Sequence, residues 1–205
     1  ANGEKKNEIS HGVAILATGA KESKPNEYLY GEHDSVMTHL DLDYRFINDA
    51  VEIGNANNIV FIQCVGSREE EHPYCSKVCC THSIQSAIKI KKMNPNAGVF
   101  ILYRDIRTYG KREFLYKEAR DLGILFFKYN KDCMPTVIPG DDYVTVEFKD
   151  HILGKRLVVQ ADILCLASRI EANDQTVLSQ AFKVASDKDG WFLEAHQKLR
   201  PVDFA

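Results

Sequence analysis

The sequence predicts a three-layer α/β domain of Rossmann-like type, a parallel sheet with an antiparallel β-hairpin or meander added to it, and three observations carry this. Apolar runs at residues 59–63 (IVFIQ), 98–103 (GVFILY) and 124–129 (ILFFKY) alternate with amphipathic stretches at 76–93 and 111–122. That alternation is the rhythm of strand, crossover helix and parallel strand. The period then changes to two, in residues 143–148 (YVTVEF) and 155–160 (KRLVVQ) around a turn at 149–154, which reads as an antiparallel hairpin. Finally, residues 162–168 (DILCLAS) form one more apolar run, a buried strand returning to the sheet.

Taken in order, residues 1–10 are polar and read as a frayed start. Residues 11–20 (HGVAILATGA) predict a buried strand running into a Thr-Gly turn, and residues 21–34, with Pro25 and Gly31, a loop. A helix is expected over 36–53, then a turn at 54–58 and the first sheet strand. The helix over 76–93 places Ile84, Ala87, Ile88 and Lys91 along one face and stops at Asn94-Pro95. Gly123 ends the next helix. A helix near 174–182 and a turn at Lys188-Asp189-Gly190 close the chain.

Composition narrows the function. The 205 residues carry a net charge of −3 with no long basic block, so nothing points to nucleic acid. There is neither an apolar run of membrane-spanning length nor a signal-peptide hydrophobic region, which predicts a cytoplasmic protein with no membrane insertion. Six cysteines in such a chain favour metal or redox chemistry over a disulfide framework.

Four of the six lie in FIQCVGSREEEHPYCSKVCC, as Cys64, Cys75 and the adjacent Cys79 and Cys80. Structural zinc usually draws cysteines from knuckles with two to four residues between ligands, which adjacent cysteines fit poorly. Neighbouring side chains diverge and bond more comfortably to two irons of one cluster, so the leading reading is [4Fe-4S]. Zinc, with His72 or His82 as a ligand, a regulatory dithiol and ordinary buried cysteines remain open at this point. Cys79 and Cys80 fall at a helix start, whose positive end favours thiolates. Cys133 and Cys165 lack spaced partners and read as structural, and Glu69, Glu70 and Glu71 read as a solvated loop.

The runs CVGSREEEHPYCSKVCCTHSIQSAIKI and LYRDIRTYGKREFLYKEARDLGILF resemble the A-type subunits of heterodisulfide reductase, a family of iron–sulfur flavoproteins, and the resemblance extends from Ile15 to the end of the chain. It implies a thioredoxin-reductase-like flavoprotein fold, with Cys64, Cys75, Cys79 and Cys80 as ligands of a [4Fe-4S] cluster close to a flavin. It also implies that Ala17, Thr18 and Gly19 approach FAD at a crossover between domains. On this basis residues 1–45 and 171–205 belong to the flavin side, and 46–170 form the Rossmann-like domain that carries the cysteines. One departure is Gln85, where the family is expected to have lysine. The implied activity is that of an oxidoreductase passing electrons between FAD and [4Fe-4S] centres, with other heterodisulfide reductase-type subunits and electron-donor proteins as partners. The start at Ala1-Asn2-Gly3 and the stop after Phe204-Ala205 suggest a fragment, inactive when isolated, without the G-x-G-x-x-G turn that holds the flavin diphosphate.

Two other function classes compete. A zinc-stabilised interaction scaffold would use the same cysteines. A pyridine-nucleotide domain would need glycines after the first strand so that backbone amides reach pyrophosphate, but the chain has Cys64-Val65-Gly66-Ser67 there. Arg104 and Arg107, at the end of the second strand, mimic an NADP pocket; without that loop they read as a salt-bridged strand end involving Asp105, or as contacts near the cluster or a partner.

Overall fold

The computed structural model describes residues 8–196 and 198–204. They form two compact units, one spanning Glu22–Glu171 and the other made of the residues before and after that span. The chain passes between them at two short strands, β1 (Ala20–Glu22) and β10 (Ile170–Ala172).

The larger unit is built on five parallel strands. In chain order these are β2 (Val36–Thr38), β3 (Asn58–Val65), β4 (Gly98–Tyr103), β5 (Leu125–Lys128) and β9 (Ile163–Ser168), arranged in space as β2-β9-β3-β4-β5. Helices α1 (His39–Asn48), α2 (Ala50–Asn55), α3 (Cys79–Met93) and α4 (Glu113–Asp121) fill the crossovers. The antiparallel layer is a three-stranded meander of β6 (Thr136–Pro139), β7 (Val144–Asp150) and β8 (Lys155–Ala161). The three-layer α/β architecture expected from the sequence is therefore present.

Strand β3 shows why its sequence is a continuous apolar run. Ile59 and Phe61 pack with the helices in a core that includes Ile84, Ile88 and Ile101, whereas Val60 and Ile62 pack with Val144, Val146 and Phe148 of the meander. Both faces are covered, so alternation disappears. Gly98 permits the β3–β4 pairing, because a Cβ there would stand 2.6 Å from Asn58 Oδ1. Gly123, at φ +80°, follows α4 in the left-handed conformation that ends helices.

Two elements differ from the sequence reading. Residues 11–19 form no strand: Val13 and Ile15 are 80% and 86% exposed, and no strand of the described residues pairs with them, so an apolar run alone did not make a strand. Residues 36–53 are not one helix. Val36–Thr38 pair with β9 as an edge strand, and Thr38 then caps α1 through a reciprocal box, its hydroxyl accepting from Asp41 N–H and Asp41 Oδ2 accepting from Thr38 N–H. The helix breaks at Asp49. Residues 22–45 cluster with the residues that carry the sheet.

Candidate metal centre at the carboxyl end of the sheet

Strand β3 delivers the first cysteine through a bulge. Ile62 pairs with Leu166 and Val65 with Ser168, so three steps along β3 match two along β9. Cys64 takes up the extra residue at φ +63°, a left-handed conformation costing a non-glycine residue about 1 kcal/mol. The preceding residue is fixed from both sides. Fully buried Gln63 donates through Nε2 to Ser83 Oγ at 2.5 Å, and its carbonyl accepts from the Tyr129 hydroxyl. Ser83 Oγ in turn lies 2.7 Å from His39 Nε2. This buried polar chain joins α1, α3, β3 and the residue after β5.

The loop from Gly66 to Lys77 is clamped by arginines. Arg104, 9% exposed, donates to the carbonyls of Ser67 (3.4 Å) and Arg68 (3.1 Å) and pairs with Glu69 at 2.8 Å. Arg169 donates to the Gly66 carbonyl at 3.0 Å. Two expectations from sequence are corrected by these contacts. Asp105 pairs with Arg68 and Lys128 rather than Arg104, and Glu69 is engaged by Arg104 and Lys131 rather than free in solvent. Both follow from the folding back of the loop onto β4, which local sequence does not encode. Gly66, Arg68 and Lys77 adopt left-handed backbone within this loop.

Helix α3 starts on the vicinal pair. Val78 supplies no side-chain cap, so the first turn, Cys79-Cys80-Thr81, leaves N–H groups without a capping side chain. Cys79 and Cys80 are 4% and 3% exposed and pack on Ala167 of β9. The two thiols share a hydrogen bond. That bond, then burial and the neighbouring Cys80, Cys64 and Cys75, holds the proton on Cys79 far above the thiol range; receiving it lowers Cys80, helped by Arg107 and Arg68. Burial raises Cys64, and the adjacent Arg68 guanidinium partly offsets this. Cys75 Sγ accepts from Lys77 N–H at 3.4 Å.

All four motif cysteines thus lie at one end of the sheet, within electrostatic reach of one another. Among the described residues, however, no three or more His, Cys, Asp or Glu side chains stand close enough to hold a metal ion. The thiols are turned to other partners, Cys79 to Cys80 and Cys80 to the Asp105 carbonyl at 3.7 Å. Cys133 lies at an isolated bridge with Asn130, and Cys165 is fully buried in the helix-side core.

The surroundings suit an anionic, sulfur-rich guest. Buried side-chain atoms without a hydrogen-bond partner, among the described residues, are Gln63 Oε1, Arg68 Nη1, Thr81 Oγ1, Ser168 Oγ and Arg169 Nε. Gln63 precedes Cys64, Thr81 follows Cys80, and Arg68 and Arg169 belong to the loop and its clamp, while Ser168 ends β9; all but the Gln63 oxygen are donors. Thiolates are soft ligands, and donors with a helix start beside them favour negative charge. The residues present therefore fit an iron–sulfur group by chemistry, although their thiols are not closed on one point. Sequence reasoning missed Arg68, beside Cys64, and Arg169, which holds the Gly66 carbonyl; the only signal available was the proximity of Arg68 to Cys64 in the chain.

Ala17, Thr18 and Gly19 belong to the other unit. There Thr18 Oγ1 donates to Gln175 Oε1 at 2.9 Å, Asn173 Nδ2 donates to the Thr18 carbonyl at 2.9 Å, and Gly19 adopts φ +67°. These bonds tie the turn to the residues before α5 (Thr176–Phe182).

Comparison with known proteins adds the family. The chain is 38% identical over 213 residues to the A-type subunit of the H(2)/formate:CoB-CoM heterodisulfide,ferredoxin reductase of Methanococcus maripaludis, a match covering 95% of this chain and 32% of that protein. It is 35% identical to the A-type subunit of the H(2):CoB-CoM heterodisulfide,ferredoxin reductase of Methanothermobacter marburgensis, over 96% of this chain and 32% of that protein. The chain spans about a third of the length of these curated relatives. No protein-family model matches it. Among solved structures, Lactococcus lactis thioredoxin reductase superposes with a TM-score of 0.53 at 19% identity, covering 93% of this chain and 55% of that one. The thioredoxin reductase of T. acidophilum gives 0.51 at 14% identity over 91% of this chain and 54% of that one. These likenesses are of fold.

Proposed function

Since the chain belongs to the family of heterodisulfide reductase A-type subunits, we propose that its Cys64, Cys75, Cys79 and Cys80 ligate a [4Fe-4S] cluster. The observation that carries this reading is the placing of a vicinal cysteine pair in the first turn of α3, with the Cys64 bulge and the Cys75 loop within electrostatic reach of it. When bound, such a group supplies one-electron transfer. The chain's own contribution is to hold the sulfurs, to surround them with positive charge from Arg68 and Arg107, and to keep water from Cys79 and Cys80.

In the whole protein the role proposed is oxidoreductase: electrons pass between FAD and iron–sulfur centres, in a complex with further subunits that reduces a disulfide or a related acceptor. Ala17, Thr18 and Gly19 are proposed to form part of the FAD site. The setting proposed is cytoplasmic; no helix among the described residues is long and apolar enough to cross a membrane.

Anaerobic reconstitution with ferrous iron and sulfide tests the ligand set. About four irons and four sulfides per chain are expected. Alanine at Cys64, Cys75, Cys79 or Cys80 should each impair assembly, and Cys133→Ala or Cys165→Ala should not. Stoichiometric zinc without iron uptake would instead support the zinc scaffold.

A further inference from the structure

The cations near the starts of α3 and α4 divide into two sets. Arg68, Arg104, Lys128, Lys131 and Arg169 are each paired with a carboxylate. Lys77, Arg107, Lys111 and Arg112 are all exposed, and among the described residues they join no ion pair. Two surface hollows, of about 470 and 310 Å³, lie here. Lys77, Arg107 and Tyr109 line the first, with Glu113 as its one carboxylate. Val78, Thr81, His82, Gln85 and Arg112 line the second. Lys77 and Val78 are chain neighbours, as are Arg112 and Glu113, so the hollows adjoin. Two helix starts add positive potential: Val78 and Arg112 are the N-cap residues of α3 and α4, and neither provides a side-chain cap. Thr81, 9% exposed, lines the second hollow with its hydroxyl unpartnered. Apolar surface lies among the cations, with Val78 49% and Tyr109 61% exposed.

We propose that this surface docks an acidic segment of a partner protein, which sets carboxylates against Lys77, Arg107, Lys111 and Arg112 and an apolar side chain against Val78 and Tyr109. Charge complementarity gives the sign of the occupant: the chain carries a net charge of −3, yet here unpaired cations and two helix starts face outward together. Most of the lining side chains are exposed, whereas a small-molecule site encloses its ligand. Arginine and tyrosine beside apolar surface are the residues that anchor protein interfaces. A second copy of this chain fits less well. Its own acidic hollow, with Asp34, Asp141, Asp142 and Asp162, lies at the opposite, amino end of the parallel sheet. Pairing that hollow with the basic surface gives a head-to-tail contact, which continues from copy to copy instead of closing on a pair. The proposal stands apart from the iron–sulfur reading, since none of its residues is a cysteine and its test needs no metal.

Fluorescence anisotropy on the metal-free chain tests this at low salt with labelled probes: a short peptide of glutamates interrupted by phenylalanine, the same peptide with serine for phenylalanine, and a single-stranded oligonucleotide. The first is expected to bind best, and to weaken strongly when salt is raised to about 1 M, where the screening length falls to about 3 Å. Lys111→Glu with Arg112→Glu is expected to weaken it about tenfold or more. Carboxylates suit the start of α4, so this double variant should melt no lower than the parent. Lys149→Glu with Lys155→Glu, on β7 and β8, makes the same change in net charge and should leave binding at the parent's level. Tyr109→Ser should weaken binding with no change of charge. No binding of the first peptide by the parent, or binding that ignores salt, would overturn the proposal. Equal weakening by the two charge-reversal pairs would also overturn it, since net charge alone would then be at work. Equal binding of the serine peptide would reduce the surface to an anion site, and preference for the oligonucleotide would make it a nucleic-acid surface; either overturns a protein dock. Self-association of the parent in sedimentation, abolished by Lys111→Glu with Arg112→Glu, would make a second copy the occupant and overturn it too. None of these outcomes bears on the cluster, because no probe reads metal.

Discussion

The hydroxyl of Tyr129, just beyond the end of β5, donates to the backbone carbonyl of Gln63, the residue immediately before the left-handed Cys64. Both residues are almost wholly buried. The bond braces the bulge at the end of β3 from a residue 66 positions away in the chain. Tyr129→Phe would leave the carbonyl buried without this donor, at a cost of about 1–3 kcal/mol. Urea unfolding of the metal-free chain measures it; a loss below about 0.3 kcal/mol would mean that the bulge does not need the brace.

Cys64 itself carries backbone strain. Alanine at this position keeps the unfavourable φ of +63°, whereas glycine adopts it freely. In the metal-free state Cys64→Gly is expected to be more stable than Cys64→Ala by about 1 kcal/mol, the reverse of the usual ranking inside a strand. Chemical denaturation of the two variants checks this, and a more stable alanine variant would contradict it.

His39 predicts the acid response. It is fully buried, with Ser83 on its Nε2, the His82 ring stacked at 4.3 Å, Asp43 paired with His82, and Glu22 accepting from its backbone N–H. Burial first, and His82 second, bring its pKa down from 6.5 to about 3. Below pH 6.5 the unfolded chain takes up a proton that the folded chain refuses, so stability is full above that pH. It falls as pH drops from about 6.5 towards 3, by at most about 1.4 kcal/mol per pH unit. His39→Gln should flatten the dependence between about pH 7 and 5. An equally steep curve in the variant would assign the effect to other groups.

Arg104 is committed to the loop. Its bonds to Ser67, Arg68 and Glu69 hold the segment that also closes through Arg68 N–H to Tyr74 and Glu69 N–H to His72 carbonyl oxygens. Arg104→Gln is expected to speed hydrogen exchange at the Arg68 and Glu69 amides by about tenfold or more, as the loss of about 1.4 kcal/mol of local stability would. Unchanged exchange would show that Arg169 and Tyr74 suffice to hold the loop.

The same engagement leaves Arg104 poorly placed to read a ribose phosphate. With Cys64-Val65-Gly66-Ser67 in place of a glycine-rich loop, NADH and NADPH should show no binding at micromolar concentration in titration calorimetry. Binding at that level would favour the pyridine-nucleotide alternative.

The sequence by itself determined the larger unit's rhythm. Apolar runs covered on both faces, helices stopped by Asn94-Pro95 and Gly123, and two alternating strands around a turn are local signals, because solvent exclusion and backbone geometry act residue by residue. It also determined which cysteines are grouped, since spacing in the chain is itself the observation. What only the tertiary structure decided depends on residues far apart. Val36–Thr38 is a strand because β9 offers it a parallel edge, and residues 11–19 stay exposed because no described strand pairs with them. The bulge at Cys64 exists in register with β9, and Arg104 reaches back from β4 to the loop. Such pairings depend on long-range closure of the chain, which no window of sequence contains.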